Sequence, residues 1–154
     1  MIGQPKRRDN GPLDALMRSV RVLVIDDSLT IRAILESIME RHADIQIVGL
    51  ASDVEEAKVY LEERLPDVIT LDLALPGIDG MAFLEELAQG PHAPVVVVSS
   101  STQAKSAQAI AAIKCGAVAC FDKARLVQEA PRLVKVLRKA AEDRNKVAGQ
   151  LHHA

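Results

Sequence analysis

The sequence predicts an open, doubly wound α/β fold: a five-stranded parallel sheet in the order 2-1-3-4-5, with five helices covering both faces. Three observations predict it. Short runs such as Val22 to Ile25, Val68 to Leu71 and Val95 to Val98 are apolar without alternation, as strands buried on both faces must be. Helix-period segments separate the runs. Right-handed crossovers between five such units leave few arrangements, and this order has its switch point between the first and third strands.

Each element has a local reason. Residues 1 to 18 hold Gly3, Pro5, Gly11, Pro12 and the basic cluster Lys6-Arg7-Arg8, a composition expected of a flexible arm; Met17 is a conceivable start. Val22-Leu23-Val24-Ile25 forms the first strand, and Ile31, Ile34, Leu35, Ile38 and His42 then recur at helical spacing. Ile45 to Leu50 is β-branched, and Ser52 with Glu55 reads as a capping box for a helix to about Leu65. Val68 to Leu71 leads to a Pro76-Gly77 turn and a helix over Met81, Leu84 and Leu87. Val95 to Val98 precedes an alanine-rich helix from Thr102 to Lys114. Val118 to Phe121 makes the last strand, and Leu126, Ala130, Leu133, Leu137 and Ala141 line one face of a closing helix that is free to run past Lys146.

Composition bounds the function. The 154 residues carry 21 acidic and 19 basic side chains, a formal charge of −2, so a non-specific grip on nucleic acid or an anionic membrane is not expected. At 49% hydrophobic and 26% charged, the chain has the composition of a folded domain rather than a disordered one. Cys115 and Cys120 lack the partners of a zinc site and read as core thiols of a reducing compartment. No apolar run approaches the roughly 20 residues that span a bilayer, and a cytoplasmic location is expected.

The chemistry gathers at the switch point. The first strand ends in Asp26-Asp27 and the third ends at Asp72, so three carboxylates from distant stretches converge beyond the carboxyl ends of those strands. Crowded carboxylates raise one another's pKa unless a cation neutralises them, and an all-oxygen donor set suits a hard divalent ion, with Mg²⁺ the natural choice. The plainer alternative is that Asp27 or Ser28 caps the first helix and Asp72 closes a turn. Ser99 at the end of the fourth strand and Lys123 after the fifth bring a hydroxyl and an ammonium to the same edge. That set suits a phosphoryl group, with one carboxylate as nucleophile.

Five motifs in order then resemble the receiver domains of two-component response regulators, over about residues 20 to 144. They are Val-Leu-Val-Ile-Asp-Asp-Ser at 22 to 28, Asp-Val-Ile-Thr-Leu-Asp at 67 to 72, and Leu-Pro-Gly-Ile-Asp-Gly at 75 to 80. Pro-Val-Val-Val-Val-Ser-Ser at 94 to 100 and Gly-Ala-Val-Ala-Cys-Phe-Asp-Lys at 116 to 123 complete the set. The first and fourth look most like the receiver of chemotaxis methylesterases. The resemblance implies a flavodoxin-like fold, with a receiver domain over 19–146 and a tail over 147–154. It implies Asp72 as phosphoacceptor, with Asp27, Asp72 and the backbone carbonyl of Ala74 as Mg²⁺ ligands and Asp26 assisting. It further implies Ser99 and Lys123 on the phosphoryl group, and a histidine kinase or phosphotransfer protein as donor.

Three places depart from that family's pattern. Cys120 stands where an aromatic switch residue is usual, so altered output with phosphorylation kept is expected. Ala124 replaces the usual proline after the lysine, so a trans Lys123-Ala124 bond and a shifted loop are expected. Ala74 and Ser101, where the family tunes the attacking water, offer no long polar side chain. The expected function is a stand-alone, phosphorylation-dependent binding module, not an enzyme acting on other substrates, working as a monomer or weak homodimer without nucleic acid or membrane insertion. One alternative is a pseudo-receiver that keeps the fold without phosphotransfer. The other is a phosphoaspartyl hydrolase, disfavoured because Ser28 and Leu29 stand where its second acid is needed.

Overall fold

The apolar runs assemble into one sheet in a computed structural model that describes residues 19–90, 92–100 and 107–153. The strands are β1 (Val20–Ile25), β2 (Ile45–Ala51), β3 (Val68–Leu71), β4 (Val95–Ser99) and β5 (Ala119–Asp122). Every pairing is parallel, and the order is β2-β1-β3-β4-β5, as the sequence predicts. The connecting helices are α1 (Leu29–Met39), α2 (Val54–Arg64), α3 (Gly80–Leu87), α4 (Ala107–Lys114) and α5 (Ala130–His153). The arm over 1–18, Ser101 and the expected start of the alanine-rich helix at Thr102 lie outside the described residues.

Each face of the sheet carries its own core. Leu23, Ile25, Ile69, Leu71, Val95 and Val97 pack against Val54 and Ala57 of α2, Phe83 and Leu84 of α3 and Ala112 of α4. On the other face, Val22, Val24, Val68, Val96, Val98 and Phe121 meet Leu35, Ile38 and Met39 of α1 and Leu133, Val134 and Leu137 of α5. This division explains why Val95 to Val98 has no alternation and why β3 holds a single polar residue, Thr70: every residue of β3 and β4 is buried, under one layer or the other. Each fully buried Leu, Ile, Val or Phe contributes about 1.5–3 kcal/mol relative to exposure. Among the described residues no helix is long and apolar enough to cross a membrane.

Two boundaries differ from the sequence reading. The cap of α2 is Asp53, whose side chain accepts from Glu56 N–H at 2.8 Å, while Glu56 accepts from the backbone N–H and hydroxyl of Ser52 at 2.8 and 3.1 Å. The cap predicted at Ser52 therefore sits one residue later, because an aspartate can supply the same acceptor as a serine, and Glu56 reaches past that cap to Ser52 rather than to the cap's own N–H. Leu126 does not belong to the closing helix. It comes after a 3₁₀ turn over Lys123–Arg125 and plugs the core at 1% exposure. The closing helix α5 runs past Lys146, as the sequence allows, to His153.

Candidate functional site

Backbone register carries the acids to one edge. Asp26 N–H donates to Ala51 carbonyl, and Asp72 N–H donates to Ile25 carbonyl, both at 2.9 Å. Each aspartate is thus locked one residue past its strand, side by side at the carboxyl end of the sheet. Both side chains are buried, at 2% and 1% exposure, and Ser99 at 5% is buried at the end of β4. Asp27 is exposed. Carboxylate oxygens of Asp26, Asp27 and Asp72 all lie within 4.8 Å of one another.

Local hydrogen bonds aim these groups. Ser28 N–H donates to Asp26 Oδ1 at 2.8 Å, and the Ser28 hydroxyl caps α1 by accepting from Ile31 N–H at 3.2 Å. Ala74 N–H donates to Asp72 Oδ1 at 3.0 Å, which folds the segment after β3 over its own aspartate. Ser28 does cap the first helix, as the plainer alternative held, and the acids converge all the same. Gly80 then lets the start of α3 press on that segment: a Cβ there would stand 2.4 Å from Leu73 Cα and 2.7 Å from Asp72 carbonyl.

Lys123 crosses from the end of β5 to the acids, with Nζ 3.0 Å from Asp72 Oδ2 and 3.1 Å from Asp26 Oδ2. Burial alone would lower its pKa, but hydrogen bonds to Asp72 and Asp26 outweigh that and raise it, so the ammonium stays charged. Asp26 is pushed the other way. Burial raises its pKa, the Asp72 charge adds to the rise, and the Ser28 N–H and Lys123 only partly oppose them. Its Oδ2, though close to Lys123, lies off the direction a hydrogen bond needs and has no such partner. Three carboxylates against one ammonium, with one buried oxygen unsatisfied, fit a hard divalent cation.

The edge of β5 resolves the departures. Cys120 is half-buried on the α4 face, its Sγ 3.7 Å from Ala109 carbonyl, and burial raises its thiol pKa. Phe121, next in the strand, faces the opposite layer, where the Arg132 guanidinium lies 4.2 Å from its ring centroid. The Lys123-Ala124 peptide is trans, since no cis bond occurs among the described residues, and Ala124 N–H donates to Asp122 Oδ1 at 2.9 Å. Sequence reasoning passed over three contributors: the Asp122 cap, the close approach at Gly80, and Thr70, buried with an unpartnered hydroxyl two residues before Asp72. An aspartate directly before a lysine with a free N–H two residues on was a readable signal for the first; the other two depend on contacts distant in sequence.

Comparison with known proteins agrees with this arrangement. Residues 22–143 match the response regulator receiver domain family. A protein-glutamate methylesterase/protein-glutamine glutaminase of Caulobacter vibrioides is 41% identical over 107 residues, covering 70% of this chain and 31% of the relative. One from Rhizobium johnstonii is 38% identical over 135 residues, covering 84% and 37%. The chain therefore spans about a third of the length of these relatives. Among solved structures, the response regulator domain of Thermotoga maritima CheB superposes with a TM-score of 0.74 at 35% identity, over 81% of this chain and 98% of that one. The sheet order, the acid cluster at its switch point and these similarities place the chain in the response regulator receiver domain family, the aspartate-phosphorylated signalling domains of two-component systems.

Proposed function

We propose that Asp72 accepts a phosphoryl group from a histidine kinase or phosphotransfer protein, and that the modified chain signals by binding a protein partner in the cytoplasm. One observation carries this reading: a buried carboxylate ion-paired to Lys123 at 3.0 Å, with the oxygens of two further acids within 4.8 Å. A carboxylate oxygen of Asp72 attacks the phosphorus, the phosphorus–nitrogen bond of the donor's phosphohistidine breaks, and the imidazole nitrogen leaves with the bonding electrons. Lys123 keeps its proton and exchanges part of its pairing with Asp72 for a phosphoryl oxygen. The Ser99 hydroxyl donates a hydrogen bond to another oxygen of that group. Asp27, Asp72 and the Ala74 carbonyl would hold Mg²⁺, with Asp26 assisting, and the ion when bound would supply positive charge that offsets the repulsion between a dianionic group and the acids.

The aspartyl phosphate alters the charge balance around Lys123 and Ser99, at the ends of β5 and β4, and so biases the segments that come after them. With Cys120 against Ala109, that bias reaches α4 through a thiol contact rather than a ring, which supports altered output.

The test is direct. Incubation with Mg²⁺ and acetyl phosphate, with intact mass as the readout, is expected to give a single phosphoryl adduct that is absent in Asp72→Asn and after chelation. No adduct, together with no response of the folded protein to beryllofluoride, would instead support the pseudo-receiver.

A further inference from the structure

The lysine that bridges the acids has four rotatable side-chain bonds, so its reach is only as well defined as the backbone from which it starts. That backbone leaves the sheet at a definite point. Asp122 is the last residue of β5 and pairs in register with Ser99, so Lys123 is the first residue without a strand partner. Lys123–Arg125 then forms a three-residue 3₁₀ turn, capped by Asp122 in extended conformation. The turn is tied at both ends. Asp122 Oδ1 accepts from Ala124 N–H at 2.9 Å, and Leu126 N–H donates to Lys123 carbonyl at 3.3 Å. The second tie is anchored by Leu126, buried at 1% exposure. The first depends on one carboxylate oxygen and on residue 124 having an N–H to give.

We infer that Asp122 is a positioning residue for phosphoryl transfer: by holding Ala124 N–H it sets the direction from which Lys123 reaches Asp72 and Asp26. This rests on the role of Lys123 proposed above. Asp122 touches neither acid through any described hydrogen bond or ion pair, and the charged partners of Lys123 are Asp26 and Asp72. The function of Asp122 is therefore that of an acceptor, which an asparagine can supply equally well. The trans linkage at 123–124 belongs to the same device, because a proline at 124 would have no N–H for Asp122.

The test uses the full chain with Mg²⁺ and acetyl phosphate, tracking adduct formation by intact mass over a range of donor concentrations. Asp122→Ala is expected to lower the limiting phosphorylation rate roughly tenfold with little change in half-saturating donor, as displacement of a reacting group by a fraction of an ångström does. Asp122→Asn is expected to stay within about twofold of the unmodified protein, since it keeps the acceptor. In a Lys123→Ala background, Asp122→Ala is expected to change nothing further. A wild-type limiting rate in Asp122→Ala, a loss in Asp122→Asn equal to that in Asp122→Ala, or an undiminished loss in the Lys123→Ala background would each overturn the inference. Asp72→Asn, run alongside, separates the two readings. An adduct that persists there overturns the phosphoacceptor assignment itself, whereas its disappearance with full activity in Asp122→Ala overturns only the positioning role.

Discussion

Gly80→Ala tests how closely the first turn of α3 must approach the phosphoacceptor. The added Cβ would lie 2.4 Å from Leu73 Cα, 2.7 Å from Asp72 carbonyl and 2.7 Å from Leu73 carbonyl. All three are backbone atoms, so no side chain can swing aside. Restoring ordinary contact near 3.4 Å requires the helix start and the 72–73 peptide to separate by about 1 Å, and the peptide that moves is Asp72's own. A misplacement of that size costs up to ~10²-fold in rate, or about 2.7 kcal/mol of transition-state stabilisation. Overpacking adds about 1–3 kcal/mol of instability, partly offset by the ~1 kcal/mol by which alanine is favoured over glycine in a helix. Gly77→Ala is the control. Its φ of 74° disfavours a side chain, yet nothing lies within 4 Å of its Cβ position, so it should lose about 1 kcal/mol of stability and keep its phosphorylation rate. Urea titrations and acetyl phosphate time courses read the two effects separately. If Gly80→Ala were phosphorylated at the wild-type rate, or if Gly77→Ala lost as much, the close-approach argument would fail.

Three further outcomes are expected. Asp26→Asn removes one of three crowded carboxylates and should stabilise the metal-free protein by about 1 kcal/mol, the scale of one buried unsatisfied group. The same change should shrink the stabilisation by Mg²⁺ that urea midpoints register for the unmodified chain, about 2.7 kcal/mol at a hundredfold excess over the dissociation constant. Thr70→Val should be neutral or stabilising by up to about 1 kcal/mol, because the Thr70 hydroxyl is buried without a partner; a clear loss in thermal melts would mean the hydroxyl is satisfied by a buried water. Arg138 grips Asp44 through two hydrogen bonds, at 2.7 and 2.9 Å, and the Arg138 bond is the foremost cause of Asp44's lowered pKa. A lowered acid contributes stability above its unfolded pKa that is lost as pH falls through the folded value. Arg138→Ala should therefore cost under about 1 kcal/mol at pH 7, given the exposure of the pair, and less in acid or high salt; an equal cost at pH 2 would contradict the ion-pair account.

Much of the fold was legible because burial acts on every residue of the central strands. Val95 to Val98 has no polar position to alternate, and the structure covers it from both sides, which only a parallel sheet under two helix layers provides. The acids were legible for a related reason. Each closes an apolar run, so once the strand order is known their meeting is a matter of register rather than of long-range packing. The helix starts were less readable. Ser52, Asp53, Glu55 and Glu56 offer two overlapping caps of the same chemistry, and the sequence does not say which backbone N–H will point at which oxygen. Leu126 was harder still: its periodicity with Ala130 and Leu133 is that of a helix, yet the capped turn before it places the same apolar side chain in the core by another route.

The β5 edge shows how two departures from a family pattern can be understood as one local solution. A lysine that must stay between Asp26 and Asp72 needs a rigid point of departure, and a proline would fix the backbone through its ring. In this chain the same rigidity comes from a side chain: Ala124 keeps its N–H, and Asp122 holds it. The turn then depends on an acceptor rather than on a ring. Just before it, Cys120 contacts the α4 backbone at Ala109, whereas Phe121 is fixed in the other layer under Arg132. No ring stands at position 120, so the described contact of that residue with α4 is a thiol against main chain.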